Sequence, residues 1–340
     1  MNKTNWYILD ALFLVSICGG IAFLSIHYSN STECRKRYFT ASDIDSRALD
    51  SFVCVCSGSI CDEPKPLGDL AQGATIMVYR SSRAKDRLKQ KIIEFQTGGN
   101  NWGDRKIPSV TIAVDNSRKY QKIFGFGGAF TDAAGINMKS LSETTQQTLM
   151  EAYFGDKGLN YTIGRVPIAS CDFSARVYSY LDTEGDFDLK TFALAPEDFH
   201  YKIPYILQAW KLSKGRIKLF ASPWSAPAWM KTNNKMKNGG TLKGELNGKY
   251  YQTYAQYFVR FFQEYFKQGI LFWGLTVQNE PSMGLSPLMR YQSMNFTYIA
   301  ERSFIKNVLK PALTQSDPSA DLKIMALDDN RDLYYNGLKK

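Results

Sequence analysis

Histidine is nearly absent from this chain: its 340 residues include only His27, beside an N-terminal apolar segment, and a lone His200. A Ser-His-Asp or Cys-His mechanism has almost nothing to work with, and a histidine-based zinc site fails for the same reason. Phosphate-cradling glycine motifs are missing too. Gly125-Phe126-Gly127-Gly128 has the outline of one, but Phe130 stands where a dinucleotide fingerprint wants its third glycine, and no Gly-Lys-Ser/Thr follows. Asp182, Asp186 and Asp188 miss the spacing of a calcium loop and read as a solvated acidic loop. The sequence holds no low-complexity tract, no repeat and no paired C-x-x-C. No metal or cofactor is expected.

What is present is a chain 44% hydrophobic and 14% aromatic, enough for a sizeable core, with a net charge of +10. The lysines and arginines are scattered, and neither a basic helix nor an aromatic RNA motif accompanies them, which argues against nucleic acid. An anionic membrane surface or an acidic partner suits the charge better. Behind Lys3, residues Ala11 to Ile26 form an uncharged apolar run that is short for a membrane span and right for a signal-peptide core. Ser29 and Ser31 suit cleavage, while the basic triplet Arg35-Lys36-Arg37 keeps an uncleaved anchor as the alternative. In both cases the body of the chain is expected to be lumenal.

Cysteine usage agrees with export. Cys34, Cys54, Cys56 and Cys61 cluster after the leader and suggest two disulfides; Cys34–Cys54 with Cys56–Cys61 is the unnested choice among three connectivities. Cys171 is left as a buried free thiol. Asn30, Asn160 and Asn295 each open a glycosylation sequon.

Four parts are expected: a signal peptide or anchor at 1–31, a cysteine-rich β segment at 32–66, part of an accessory β-sheet at 67–118, and a barrel domain at 119–340. Thr75 to Tyr79 and the alternating Val110, Ile112 and Val114 read as antiparallel strands of the accessory sheet. From Gln121 the rhythm changes. Apolar strands end in polar or glycine tails at Gly127, Arg165, Ser222, Asn279 and Asp328, with helical patterns between them. Ser140 with Glu143 predicts a capping box before a helix closed by Gly155. Tyr251, Tyr254, Phe258, Phe261 and Tyr265 form a helical stripe closed by Gly269, read as core rather than a ligand platform. Alternating strand and helix argues for an α/β fold of the (β/α)8 TIM-barrel type, of which about five of eight strands are counted.

The segment Ile270 to Pro281 carries the strongest chemical signal. It follows Gly269, is rich in β-branched and aromatic residues, and reads as a buried strand whose polar tail is Asn279-Glu280-Pro281. A carboxylate at the C-terminal mouth of a barrel strand, fixed by a following proline, is a candidate acid or base.

Five separated motifs then occur in order: FGFGGAFTDAAG (124–135), GRVPIASCDFS (164–174), ASPWSAPAWMKTN (221–233), TVQNEPSMG (276–284) and IMALDDNR (324–331). Together they resemble the lysosomal acid β-glucosidase, or glucosylceramidase, family of glycoside hydrolases. The resemblance implies a retaining β-glucosidase acting on glucosylceramide through two carboxylates, reached from the secretory pathway in the lysosomal lumen, at a membrane or after secretion. It implies Glu280 as acid/base, Asn279 as partner of the sugar 2-hydroxyl, Asp172 for further sugar hydroxyls, Trp224 for the pyranose, and Arg165 as a cation that either backs the sugar-contacting residues or supports the nucleophile. The structural alternatives are Trp224 as core and Asp172 with Arg165 as an ion pair. A lipid-presenting activator protein is a further implied partner.

Two departures stand out. Gln278 occupies a position where members of the family often carry a second glutamate, and no residue can be assigned as nucleophile, since Glu301 is the only glutamate after Glu280 and falls in a predicted helix. The chain is therefore expected to stop before its barrel closes, to fold poorly alone and to lack turnover. The alternative is a non-catalytic lumenal protein that binds sugar, lipid or a partner.

Overall fold

Each of the five strand units expected after Gln121 contributes one strand to a single parallel sheet, in sequence order across the sheet. The strands are β1 (Gly127–Ala129), β2 (Ile163–Ile168), β3 (Lys218–Pro223), β4 (Gly274–Thr276) and β5 (Lys323–Met325). This computed structural model describes residues 115–330 throughout and, before them, residues 16–17, 20–21, 36–38, 52–55, 75–82, 86 and 88–94. In that earlier part, Thr75–Arg80 pairs antiparallel with Lys89–Glu94, and Lys36–Tyr38 with Phe52–Cys54. A third antiparallel pair joins Ser16–Ile17 to Gly20–Ile21. The accessory strand expected over Val110 to Val114 lies outside the described residues, as do Asn30 and the side chains of the four clustered cysteines.

Register aligns the five strands in one row. Ala129 pairs with Arg165, Arg165 with Phe220, Phe220 with Gly274, and Gly274 with Lys323. Gly127 is required where β1 meets β2, because a Cβ there would lie 1.7 Å from the Ile163 carbonyl oxygen. Several strands are shorter or shifted relative to the sequence reading. Gly127 begins β1 rather than ending it, and Arg165 sits mid-strand. The segment from Ile270 contributes only three strand residues, with Leu271 turned outward, while Val277, Gln278 and Asn279 beyond them are buried.

Helices fill the intervals: α1 (Asp132–Lys139), α2 (Glu143–Phe154), α3 (Ile203–Leu212), α4 (Lys249–Lys267), α5 (Tyr298–Phe304) and α6 (Lys310–Thr314). The Ser140 capping box is a correction. Ser140 closes α1 and donates to the Asn137 carbonyl, while Ser142 caps α2 by accepting from the Thr145 N–H, so Glu143 is the first helical residue rather than the third. The two-residue slip arises because both serines offer the same hydroxyl and only one has the extended backbone of a cap.

The aromatic stripe of α4 is core, as expected: Tyr254, Phe258, Phe261 and Tyr265 are fully buried. Their rings pack edge-on and tilted, with Phe261 and Tyr265 centroids 4.5 Å apart, and Tyr180 stacks on Tyr257 at 5.9 Å. Gly269 ends the helix in the left-handed region, at φ +80°.

Beneath the C-terminal end of β2 lies a buried polar knot. The Lys202 ammonium is 3.4 Å from Asp132 and 3.3 Å from Asp198, and it also donates to the carbonyls of Pro167 and Ala169. Tyr178 donates to Asp132, and Tyr180 and Tyr265 both donate to Asp198. Burial pulls the Lys202 ammonium down, but the Asp198 and Asp132 charges outweigh it and hold the group above its ordinary value. The arrangement fixes the first residues of the loop that carries Asp172.

Candidate active site

All five residues singled out from the sequence line one cleft. A cavity of about 420 Å³ is bounded by Ala129, Thr131, Arg165, Asp172, Phe173, Trp224, Asn279 and Glu280, of which Arg165 comes from within β2 and the others from the C-terminal ends of β1 to β4 or the segments that follow them. In a barrel of parallel strands this is the face on which catalytic groups assemble.

Arg165 organises the cleft floor. Its Nε donates to Ser222 Oγ at 3.0 Å, and Nη2 donates to Asn279 Oδ1 at 2.8 Å and to Asp328 Oδ2 at 2.6 Å. Its guanidinium lies 4.6 Å from the Trp224 ring centroid. The ion pair weighed as a structural alternative, Arg165 with Asp172, is not the one formed; Arg165 pairs with Asp328 instead. Because Asn279 accepts through Oδ1, its Nδ2 is the end left to act as a donor. The Asn279 N–H donates to the Pro223 carbonyl at 2.8 Å, which ties the segment after β4 to the end of β3.

Glu280 is half-buried and has a left-handed backbone, φ +44°, immediately before Pro281. Such a conformation costs a non-glycine residue about 1–3 kcal/mol and persists only where the surroundings impose it. Here the Glu280 N–H donates to the Asp328 carbonyl at 3.0 Å and its carbonyl accepts from the Met283 N–H at 2.9 Å. Ala169, Leu327 and Asp328 are likewise left-handed, so strained backbone recurs in the segments after β2, β4 and β5.

Tyr291 was not anticipated. Its hydroxyl points to Glu280 Oε2 at 3.4 Å, and burial together with the Glu280, Asp172 and Asp329 charges pushes the phenol above its ordinary value. No local pattern marks it, because it lies in an irregular loop. Asp329 was also missed; it accepts from the N–H and hydroxyl of Ser282 and so holds the turn after Pro281.

Gln278 is fully buried and donates through Nε2 to the carbonyls of Trp224 and Asn279, leaving Oε1 without a hydrogen-bond partner. Asp172 is exposed to the cleft and Trp224 nearly enclosed. Glu301 is buried away from the cleft, where its Oε1 accepts from the Leu327 N–H. Burial, joined by the Asp328 and Asp329 charges, raises its carboxyl above the ordinary range. Cys171 is a free, buried thiol, pushed up to about 11 by burial. Of the described sequon asparagines, Asn160 is half-buried and Asn295 is 8% exposed. Among the described residues no group of three His, Cys, Asp or Glu is placed to hold a metal ion, and no helix is long and apolar enough to cross a membrane.

Comparison with known proteins follows this geometry. Over 286 residues the chain is 49% identical to a protein of Caenorhabditis elegans named putative glucosylceramidase 3 and 43% identical to mouse lysosomal acid glucosylceramidase. Each match takes in 84% of this chain and 54% of the relative, so the chain spans about half the length of these curated relatives. Among solved structures, SrfJ of Salmonella typhimurium is similar at 32% identity with a TM-score of 0.65, over 74% of this chain and 53% of that one. Residues 123–336 match the glycosyl hydrolase family 30 TIM-barrel domain, and the chain belongs to that family.

Proposed function

We propose that these residues carry the acid/base half of a retaining β-glucosidase site that hydrolyses glucosylceramide to glucose and ceramide. One observation supports this above the others: Glu280, Asn279, Asp172 and Trp224 line a single cleft in a chain 43–49% identical to glucosylceramidases. Glu280 protonates the glycosidic oxygen as the bond breaks, then takes a proton from the water that releases the glycosyl-enzyme. Asn279 Nδ2 donates to the sugar 2-hydroxyl, a contact that tightens as positive charge develops at the anomeric carbon. Asp172 accepts from sugar hydroxyls at the open side, and Trp224 offers an apolar wall. Of the two places expected for Arg165, its hydrogen bonds favour the one behind Asn279 over direct support of a nucleophile.

The covalent step needs a second carboxylate on the opposite face of the sugar. Glu301 does not line the cleft, and Asp328 is engaged by Arg165, so none of these residues is assigned that role. The whole protein is proposed to act in the lumen of the secretory pathway, with the lysosome as destination, disulfides among Cys34, Cys54, Cys56 and Cys61, and glycans at Asn160 and Asn295. An anionic membrane surface and a lipid-presenting activator protein are the proposed partners, and 1–31, 32–66, 67–118 and 119–340 the proposed divisions. The test follows glucosylceramide hydrolysis by the whole protein, with the anomer of the released sugar read by proton NMR. β-Glucose appearing first is expected; α-glucose first, or no release of ceramide, overturns the reading.

A further inference from the structure

Lys231 is fully buried, yet among the described residues no carboxylate lies within ion-pair distance of it. An unpaired buried ammonium is costly, and burial alone lowers this one to about 7. Its Nζ donates instead to two main-chain carbonyls, Met236 at 3.1 Å and Ser293 at 2.7 Å. Met236 belongs to the loop after β3, and Ser293 to the loop after β4, which begins at the acid/base. The same Met236 carbonyl accepts from the Ser293 N–H at 3.0 Å, and the Gly239 N–H donates to Ser293 Oγ at 3.0 Å. Both faces of Ser293 are therefore anchored to one loop, with Lys231 as the buried clip. Two residues earlier, Tyr291 points its hydroxyl at Glu280 from 3.4 Å. At that separation a few tenths of an ångström decides whether a hydrogen bond exists.

We propose that Lys231 is a positioning residue: it fixes the main chain at Ser293 and thereby holds the Tyr291 hydroxyl against Glu280. The inference rests on the reading of Glu280 as acid/base. Lys231 touches neither sugar nor carboxylate; its effect passes through Tyr291, whose donated hydrogen bond orients the carboxyl for proton transfer. Lysine suits the place because a straight chain with three donors can reach both carbonyls, whereas methionine fills the same volume and donates nothing.

The test compares Lys231→Met, Tyr291→Phe and the double variant in the whole protein. One substrate is glucosylceramide, with a poor leaving group; the other is an aryl β-glucoside with a good one. Lys231→Met is expected to lower kcat on glucosylceramide by about tenfold and on the aryl glucoside by less than about threefold, with KM little changed. Tyr291→Phe should give the same pattern, and the double variant should be no worse than Tyr291→Phe. A residue that merely stabilises the fold would lower the melting temperature without separating the substrates, so equal losses on both, or losses that multiply in the double variant, overturn the proposal. If Lys231→Met does not fold, NMR of 15N-lysine-labelled wild-type protein decides: an Nζ signal whose protons exchange slowly with solvent is expected from the two buried main-chain hydrogen bonds. Nζ protons that all exchange as fast as those of exposed lysines overturn the clip. Should Glu280→Gln itself fail to separate the two substrates, the acid/base reading falls, while the lysine signal still reports on the clip.

Discussion

Arg165 Nη2 donates to Asn279 Oδ1 at 2.8 Å and to Asp328 Oδ2 at 2.6 Å, so one nitrogen of β2 sets the side-chain amide beside Glu280 and is itself held by the segment after β5. The Asn279 amide is thus fixed by a residue on a different strand. This is preorganisation by the scaffold, and it costs no rearrangement when substrate enters.

Arg165→Lys tests that relationship. A lysine places one compact charge where a planar fork served Ser222, Asn279 and Asp328 at once. Stability should fall by about 1–3 kcal/mol, read from thermal or urea unfolding, because a partly buried carboxylate and amide lose partners. An unchanged unfolding midpoint would mean the three bonds contribute nothing.

Asn279→Ala should lower kcat/KM by about 2–4 kcal/mol, since the lost hydrogen bond is formed mainly in the transition state. A 2-deoxy substrate should remove most of the difference between wild type and variant. If both enzymes discriminate the 2-hydroxyl equally, the role assigned to Asn279 is wrong.

Glu301→Gln addresses pH. Burial raises the folded-state carboxyl above its ordinary value of 4.5, so its contribution to stability is present below that pH and is lost as pH rises through the raised folded value. Glutamine keeps the oxygen that accepts from Leu327 and carries no charge. The variant should therefore melt higher than wild type at pH 7, with the difference shrinking in acid. A difference that does not vary with pH would contradict the burial argument.

Much of the site was legible because its signals are local. Glu280, Asn279, Asp172 and Trp224 each sit in a short motif close to an apolar strand, and the presence of such a strand is readable from hydrophobic pattern even where its exact ends are not. Arg165 was legible as a cation behind the site or the nucleophile, but which of Asn279, Asp172 or Asp328 it meets depends on a register between distant strands. Tyr291 and Lys231 escaped for a stronger reason. Neither lies on a periodic element, and a lysine after Trp229-Met230 reads as surface until two loops fold over it. Asp198 and Lys202 lie four residues apart, yet both side chains are buried with Asp132 and three tyrosines, and burial of that kind is set by tertiary packing. Conversely, the α4 stripe could be assigned to the core because ring size and helical spacing leave few other places for it.

The most direct test of the central claim is Glu280→Gln in the whole protein, assayed on glucosylceramide and on an aryl β-glucoside whose leaving group needs little protonation. If Glu280 is the acid, hydrolysis of glucosylceramide should fall by about 100-fold or more, while the first step on the activated substrate, read as the burst of aryl alcohol, should be nearly preserved. Equal losses on the two substrates would show that Glu280 is not the acid.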